Sequence, residues 1–359
     1  MKVVLIGVGQ AGGKITQALA EFDYERGFGA VQGAFAVNTA EADLQNLEID
    51  TMLIGQDRVK GHGVGGDNEL GAEIMKDEAT EVMDELDGRV TSEADAVFVI
   101  AGLGGGTGSG GAPMLTRKLQ RIYEMPIYGI GVLPGRNEGG IYQANAGRSL
   151  KTFIREADSV LMIDNDAWHS SGESVEEGFD TINARIAERV GLLLAAGEVI
   201  EGVGESVVDS SEIINTLKSG GIASLGYASA EADEDAGENI NVITSTARNA
   251  LLTGTSLPNA VKADAALLIV AGHPERIARK GVERARKWIE EETGSLEVRG
   301  GDFPLGSERI ATLVLLGGVE RSQRLDDFLD RAREAQEKRE EESRDAAQAF
   351  ENDDLDDLF

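Results

Sequence analysis

The chain contains no cysteine and only three histidines in 359 residues. Disulfides and thiolate metal sites are therefore excluded, and the scattered His62, His169 and His273 lack the spacing of metal ligands. No apolar run approaches the roughly 20 residues of a membrane-spanning helix. The N-terminal segment MKVVLIGVGQAGG is broken by glycine and predicts a first β-strand rather than a signal peptide. We therefore expect a cytoplasmic protein.

Basic residues are also scarce, since 34 lysines and arginines face 64 aspartates and glutamates, which gives a net charge of −30. Such a surface repels polyanions, so no nucleic-acid partner is expected. A disordered acidic chain is excluded as well, because 41% of the residues are hydrophobic and recur with regular periods. An acidic, lysine-poor surface on a folded core predicts adaptation to a high-salt cytoplasm, where ions screen the self-repulsion.

Glycine, in contrast, is abundant, and its densest stretch is Gly102–Gly111. This stretch follows an apolar strand pattern, Ala96–Ala101, and precedes an amphipathic helix pattern, Pro113–Tyr123. The backbone N–H groups of a glycine turn, together with the positive end of the following helix, form an anion site. Thr107 and Ser109 add hydroxyl donors. A flexible linker would lack the flanking strand and helix, and no Gly-Lys-Ser/Thr follows, so the loop is not of the Walker type.

Two further glycine loops follow predicted strands. The first, Gly7–Gly12, matches the dinucleotide-binding fingerprint G-x-G-x-x-G. That alternative requires an acidic residue at the end of the second strand, Ala34–Val37, but this strand ends in Asn38-Thr39. The other loop, Gly61–Asn68, opens a predicted helix over residues 69–86 and is compatible with a plain surface turn. Three such loops on one side of one sheet predict the walls of a single phosphate pocket.

Polar residues follow the next two predicted strands. One strand, over residues 127–133, leads into the loop Pro134–Gly139, and the other ends in Asp164-Asn165-Asp166. Side chains at the carboxyl ends of strands face the ligand crevice of an open sheet. A capping box at Ser174 starts a long helix that runs to about residue 199. Phe179 and Asn183 share a face of this helix, where they contact a base or, in the case of Phe179, pack in the core.

A loop over residues 202–208 precedes a shorter helix that starts with Asp209 and Glu212. Their spacing places both carboxylates on one face of the helix. They either polarise a water molecule or serve as ordinary partners of the helix dipole.

The rest of the chain contains more strands than a doubly wound sheet needs, which predicts a mixed sheet packed with helices. Residues 324–350 are nearly all charged or alanine and predict a solvated helix. The acidic tail over residues 351–359 is either disordered or a docking peptide for a partner protein, with Leu355, Leu358 and Phe359 on one helical turn.

The sequence GGGTGSG at Gly104–Gly110 resembles the signature phosphate loop of the tubulin/FtsZ superfamily. The resemblance extends over nearly the whole chain and is strongest to the CetZ group, the archaeal tubulin-like cell-shape proteins of halophiles. It implies an α/β fold with a Rossmann-like parallel-sheet GTPase domain (1–173), a long central helix (174–200), a second α+β domain with a mixed sheet (201–320), and a charged helix with an acidic tail (321–359). It also implies GTP or GDP as the bound cofactor, Mg²⁺, and head-to-tail protofilaments.

The resemblance also assigns nucleotide-binding positions. In the first three segments these are Gly9, Gln10, Ala11, Gly12 and Lys14, then Asn38 near Asp43, then Gly63, Val64, Gly65 and Gly66 in the loop that senses the γ-phosphate. In the signature loop they are Gly104, Gly105, Gly106, Thr107, Gly108, Ser109 and Gly110. Pro134 and Glu138 match the ribose-contact loop, Tyr142 stands where FtsZ carries an arginine, and Asn165, Phe179 and Asn183 match guanine-binding positions. No protein ligand for a metal is assigned.

Asp209 and Glu212 match the catalytic loop that, in this family, enters the next subunit's nucleotide pocket and positions the attacking water. Glu212 agrees with α-tubulin, whereas Val207 replaces an asparagine of FtsZ. The resemblance therefore implies a GTP-hydrolysing filament protein in cell-shape control, whose active site is completed by its neighbour. Three alternatives are an FtsZ-type division-ring protein, disfavoured by Gln10 and Glu212, a nicotinamide-dependent oxidoreductase, and a non-catalytic GTP-binding regulator that caps filaments.

Overall fold

The computed structural model describes residues 1–167, 175–198, 208–320 and 322–351. Several sequence predictions lie outside these residues: the capping box at Ser174, most of the loop over 202–208 with Val207, the tail over 352–359, and His169. The predicted domain boundaries near residues 173, 200 and 320 also fall at these gaps and stay predictions.

The first part of the chain alternates strands and helices, as the sequence predicts. Its elements are β1 (Val3–Val8), α1 (Gly9–Arg26), β2 (Val31–Asn38), α2 (Glu41–Leu44), β3 (Asp50–Leu53), α3 (Gln56–Val59), α4 (Asn68–Asp77), α5 (Ala79–Leu86), β4 (Ala96–Gly102), α6 (Thr107–Gln120), β5 (Ile127–Leu133), α7 (Gly140–Glu156) and β6 (Ser159–Asp164).

The second part starts with a long helix and contains longer strands. Its elements are α8 (Val175–Ala196), α9 (Ser210–Leu217), β7 (Ile222–Glu231), α10 (Asn239–Leu252), β8 (Ala263–Gly272), α11 (Arg279–Thr293), β9 (Glu297–Pro304), β10 (Arg309–Val319) and α12 (Gln323–Glu351).

The described strands form one ten-stranded sheet in the order β3-β2-β1-β4-β5-β6-β7-β10-β8-β9. Strands β1 to β6 are parallel, and β10 lies antiparallel between β7 and β8. The mixed sheet of the second part is thus confirmed, but it is continuous with the first through a short parallel pairing of β6 with β7. The strand order reverses between β1 and β4, which is where an open sheet leaves a crevice at its carboxyl edge.

A continuous hydrophobic core runs through both parts. All six positions of β1 are buried, as expected for a parallel strand covered on both faces. Helix α8 contributes Ile182, Ile186 and Val190 to a cluster that also contains Leu5 of β1 and Leu315 of β10. Helix α8 therefore occupies the central position that its apolar stripe predicts.

Helix α6 begins at Thr107 rather than at Pro113, so the second half of the glycine stretch is helical. Pro113 lies inside this helix, although it has no N–H to donate to the carbonyl of Ser109 four residues earlier. The hydroxyl of Ser149 on α7 donates to that carbonyl instead, at 2.7 Å. The sequence prediction of the helix start was wrong because this compensating contact comes from another helix.

Two other helix predictions needed correction. The helix predicted over residues 69–86 is divided into α4 and α5 at Glu78, whose carboxylate accepts the N–H of Gly55 at 2.8 Å. Helix α12 is not solvated along its whole length, because Leu325, Phe328 and Ala332 are buried. It packs closely on α7, where a Cβ at Gly147 would lie 2.6 Å from the Cβ of Ala332.

Candidate functional site

A cavity of about 740 Å³ opens at the carboxyl edge of the parallel strands, beside the start of α8. Most of the predicted nucleotide-binding residues lie on its wall: Gly9, Gln10, Ala11, Lys14, Asn38, Gly63, Val64, Gly65, Gly66, Gly104, Gly105, Gly106, Thr107, Gly108, Pro134, Glu138, Tyr142, Asn165, Phe179 and Asn183. The volume lies within the usual range for cofactor pockets. All three glycine loops therefore meet at one cavity.

One part of the cavity wall is built from helix N-termini. Helices α1 and α6 begin on the wall at Gly9 and Thr107, and α4 begins shortly after the wall residues Gly65 and Gly66. The free N–H groups and dipoles of such termini favour an anion. Gly9 has a φ of +75°, and a Cβ there would lie 2.8 Å from the nitrogen of Gly108, so only glycine lets the two loops touch.

The carboxylate of Asp43 fixes two amides on the cavity wall. It accepts hydrogen bonds from Nε2 of Gln10 at 3.0 Å and from Nδ2 of Asn38 at 2.9 Å. Below them, the buried hydroxyls of Thr39 and Thr107 share a hydrogen bond of 2.7 Å. This hydrogen bond fixes the distance between the C-terminal end of β2 and the first residue of α6.

Another part of the wall combines amides with an open aromatic ring. Oε1 of Glu138 accepts the N–H of Gly135 at 2.7 Å and lies 3.4 Å from Nδ2 of Asn165. Phe179 is 39% exposed and lines the cavity near Asn183, so its ring is not a core residue. A ring and side-chain amides in this arrangement can stack on a heterocyclic base and hydrogen-bond to its edge.

A buried ion-pair network supports this wall from behind. Arg324 of α12 is 4% exposed and donates to both oxygens of Asp164, at 2.5 and 2.7 Å, and to Asp166 at 3.0 Å. The hydrogen bond to Asp164 is the main cause of the raised pKa of Arg324. Asp166 also accepts the backbone N–H of Arg136 at 3.0 Å, and Asn165 lies between the two carboxylates. The sequence carried no signal for Arg324, because its partners lie about 160 residues away.

Three predicted residues lie off the cavity wall, in contacts below it. A Cβ at Gly12 would lie 2.2 Å from the carbonyl oxygen of Ile100, and one at Gly110 would lie 2.1 Å from that of Asn68. The hydroxyl of Ser109 donates back to the carbonyl of Gly105. Conversely, His62 lines the cavity, although no role was assigned to it from the sequence. Its position directly before Gly63 could have indicated this.

Asp209 and Glu212 lie near the other edge of the sheet. The next residue of their helix, Ile213, packs beside Gly197 after the end of α8, where a Cβ would lie 3.0 Å from Ile213 Cδ1 and 2.7 Å from the nitrogen of Met1. Helix α8 has 22 residues and is thus about 33 Å long, and its other end lines the cavity. The cavity and the two carboxylates are therefore at opposite ends of α8.

The two carboxylates have different surroundings. Asp209 is exposed and caps α9, accepting the hydroxyl of Ser211 at 2.5 Å and the N–H of Glu212 at 3.1 Å. The hydrogen bond from Ser211 is the main cause of the lowered pKa of Asp209. Burial and then the charge of Asp209 raise the pKa of Glu212. The capping role of Asp209 agrees with its interpretation as a partner of the helix dipole. A pair of carboxyl groups whose pKa values shift in opposite directions is also typical of sites that position a water molecule.

Within the described ranges, no three His, Cys, Asp or Glu side chains form a group that could hold a metal ion. None of the helices that the structure describes is both long and apolar enough to cross a bilayer.

Comparison with known proteins identifies the fold. Residues 2–173 match the GTPase domain of the tubulin/FtsZ family, and residues 172–334 match the C-terminal domain of tubulin-like CetZ. The tubulin-like protein CetZ2 of Haloferax volcanii is 66% identical over 360 residues, which cover both chains completely. Its solved structure, a GTPγS-bound protofilament, has a TM-score of 0.92 and covers 95% of this chain and 100% of that one. The GDP-bound monomer of Haloferax volcanii CetZ1 is 51% identical, with a TM-score of 0.86 over 94% of this chain and 100% of that one.

The class that fold and cavity define is that of the tubulin/FtsZ-type cytoskeletal GTPases. Within this class the chain belongs to the CetZ family of tubulin-like proteins. The strongly acidic composition agrees with relatives from a halophilic archaeon.

Proposed function

We propose that this protein binds and hydrolyses GTP and polymerises head-to-tail, with each cavity completed by Asp209 and Glu212 of the next subunit. The observation that carries the proposal is the separation of cavity and carboxylates along α8. The cavity contacts this helix at Phe179 to Asn183, and the carboxylates lie beyond its other end near Gly197, a distance along the helix of about 21–27 Å. One chain cannot bring the two together. A heterologous contact between copies places the carboxylate end of one on the cavity end of the next and produces an open filament.

In this proposal the helix N-termini at Gly9 and Thr107 bind the phosphates, and Pro134 and Glu138 contact the ribose. Asn165 and Asn183 hydrogen-bond to the guanine edge, and the ring of Phe179 stacks on the base. The cavity volume, its glycine walls and the open ring support this assignment. The nucleotide-bound structures of the two CetZ relatives support guanine in particular.

Mg²⁺ is part of the proposal as a companion of the triphosphate. This ion usually binds one or two carboxylates together with substrate phosphates and water. The cavity wall offers Asp43 and Glu138, and both already accept hydrogen bonds from the protein. These two carboxylates fit an ion that is bound mainly by the phosphates. The ion would neutralise part of the phosphate charge.

The proposed chemistry is positioning and charge stabilisation. Asp209 and Glu212 of the neighbour orient a water molecule toward the terminal phosphate, which the helix N-termini hold. Loss of that phosphate removes contacts beside the subunit interface and weakens the filament. The role of such filaments in cell-shape control is proposed from the resemblance of the sequence to the CetZ group.

The first experiment compares binding with turnover. Purified protein in high salt should bind GTP and not NAD, and NAD binding without GTP binding would favour the oxidoreductase alternative. Asp209→Asn and Glu212→Gln should reduce turnover roughly 100-fold, as for loss of a water-positioning group, at an unchanged dissociation constant for GTP. Asp235→Asn is a matched control, because Asp235 also accepts a backbone N–H but lies before α10. The absence of hydrolysis even in a single turnover would favour the regulator.

The second experiment tests completion by a neighbour. Asp209→Asn keeps its cavity, whereas Gly105→Val places a side chain in the cavity, since no atom lies within 4 Å of a Cβ there. Each variant alone should turn over GTP at about a hundredth of the wild-type rate or less. An equimolar mixture should recover up to about a quarter of the wild-type rate, the share of mixed contacts that pair an open cavity with intact carboxylates. No recovery in filaments that contain both variants would contradict the proposal.

A further inference from the structure

We infer that Asn145 is a positioning residue of the cavity: its buried amide fastens the Gly63–Gly66 loop to the Gly104–Gly106 loop. Asn145 lies in the second turn of α7 and is fully buried. Its Nδ2 donates to the carbonyl of Gly66 at 2.7 Å and to that of Gly104 at 3.1 Å. One side chain therefore bridges two loops that lie 79 and 41 residues away in the chain.

The Gly63–Gly66 loop is held at both ends. The N–H of Gly63 donates to the carbonyl of Thr39 at 3.1 Å, and Asn145 holds the carbonyl of Gly66. Gly63, Gly65 and Gly66 all have positive φ values, of +76°, +58° and +84°. Glycines in this region have no side chains to hold them and a large conformational entropy in the absence of contacts. A bond from α7 to the carbonyl of Gly66 fixes the peptide that joins the loop to Asp67, the N-cap of α4.

The partner loop is in direct contact with the first one. A Cβ at Gly106 would lie 2.4 Å from Cγ2 of Val64 and 3.1 Å from the backbone nitrogen of Asp67. Since peptide units are planar and trans, a carbonyl of Gly104 held toward Asn145 directs the N–H of Gly105 the opposite way. Gly105 lies on the cavity wall. The amide of Asn145 thus fixes both the separation of the two loops and the direction of a backbone donor.

Two other residues of α7 hold segments that build the cavity or lie directly below it. Nε2 of the buried Gln143 donates to the carbonyl of Gly135 at 2.7 Å, in the loop after β5. The Ser149 hydroxyl holds the Ser109 carbonyl in α6. Asn145 differs from both because it alone of these three joins two cavity loops to each other.

The chain offers a matched control for Asn145. Asn239, the first residue of α10, is also fully buried, and its Nδ2 donates to two separate carbonyls, those of Asp233 at 2.9 Å and Arg276 at 3.0 Å. It does not line the cavity. The Oδ1 of Asn239 also accepts the N–H of Asp233 at 2.8 Å, so loss of this amide removes three hydrogen bonds against the two that Asn145 donates. General destabilisation should therefore be at least as large at Asn239, and an effect confined to Asn145 is a positioning effect.

The inference about nucleotide affinity rests on the proposed function, so the test has one arm without nucleotide. In ligand-free protein, Asn145→Leu and the shape-matched Asn145→Asp should speed hydrogen exchange of the amides in residues 63–67, whereas Asn239→Leu should leave it unchanged. With GTPγS, both Asn145 variants should raise the dissociation constant about tenfold, because the two lost hydrogen bonds leave the loops less ordered for binding. Asn145→Ser keeps one short hydrogen-bond donor, so its exchange rate and dissociation constant should lie between those of these variants and the wild type. It replaces the leucine variant in the test if that variant does not fold.

Unchanged exchange in residues 63–67 would overturn the inference whether or not the protein binds GTP. An equal loss of affinity in Asn239→Leu would also overturn it, since the effect would then be general destabilisation. A wild-type protein that binds no GTP would overturn the proposed function, and the exchange arm would still decide whether Asn145 fastens the loops.

Discussion

The two ends of α8 are built in different ways. At the cavity end the wall consists of glycine backbone, helix N-termini and buried amides, each held by hydrogen bonds from other elements. At the other end two carboxylates lie on the first turn of an eight-residue helix, one exposed and one half-buried. Binding a nucleotide requires many contacts fixed within one chain, whereas in the proposed function two side chains on an accessible turn are enough to complete the site of another copy.

Arg324 should give the largest effect at the cavity end. Arg324→Met leaves the buried carboxylate of Asp164 without its partner, so we expect a loss of about 3–5 kcal/mol in unfolding free energy together with weaker GTP binding. Denaturant unfolding and a binding titration in high salt measure both. The control is Arg117→Met, because Arg117 pairs with Glu156 at 2.7 and 3.0 Å but is 39% exposed and off the cavity wall. Its hydrogen bond holds the pKa of Glu156 at about 2.

The Arg117 variant should lose only about 1 kcal/mol, because Arg117 is partly exposed and Glu156 keeps a second partner in Arg155 at 2.8 Å. It should bind GTP normally. Equal losses in the two variants would show that Arg324 has no special connection to the cavity.

Substitutions at two glycines of the signature loop should distinguish an effect on helix packing from an effect on nucleotide binding. Gly110→Ala brings a Cβ to within 2.1 Å of the Asn68 carbonyl, so α4 and α6 must move apart, at a cost of about 1–3 kcal/mol. Gly105→Ala meets no atom within 4 Å and lies on the cavity wall. The melting temperature should fall only in the first variant, and the second should weaken GTP binding several-fold at an unchanged melting temperature. A reversal of these two results would contradict the placement of both residues.

Phe179 should affect binding more than stability. Because its ring is 39% exposed, Phe179→Ala should change the melting temperature little, while loss of base stacking should weaken GTP binding by about 1–3 kcal/mol. Tyr24→Ala, at an 87% exposed ring on α1, is the control and should change neither quantity. A large fall in melting temperature with unchanged affinity would instead make Phe179 a core residue.

The smallest effect is expected at the carboxylate end. Burial and Asp209 raise the pKa of Glu212 in the folded state, so its ionisation is unfavourable to folding once the pH exceeds that pKa. Glu212→Gln should therefore be slightly more stable than the wild type at neutral pH, and the difference should vanish as acid protonates Glu212. In the wild type, turnover should fall over the same acidic range. Denaturant unfolding and turnover, each measured against pH, test both, and a variant that is less stable at neutral pH would contradict the assignment.

Local patterns predicted most of the fold and cavity wall. Two of the three glycine loops directly follow the buried strands β1 and β4, and the third follows the partly exposed β3 after the short helix α3. Their positions were visible in sequence, and parallel strands bring their carboxyl ends together. What sequence could not show depends on contacts between distant residues. Arg324 meets Asp164 across 160 residues, and Ser149 compensates Pro113 from another helix. Asn145 was missed because a single asparagine in a helical pattern gives no indication of its partners. Gly12 and Gly110 belong to glycine motifs, but a Cβ at either position would meet the backbone of another segment and would not face the cavity.

The joint between β6 and β7 has a mechanical consequence. Only Val160 with Ile222 and Leu161 with Ala223 are paired there, whereas β10 pairs with β7 at eight positions. In the proposed filament, strain between α9 and the cavity would pass through this short pairing, along α8, and through the packing of α12 on α7. Because so few strand hydrogen bonds join the two parts of the sheet, the stiffness of this joint would depend mainly on α8, on the Arg324–Asp164 pair and on the packing of α12 against α7.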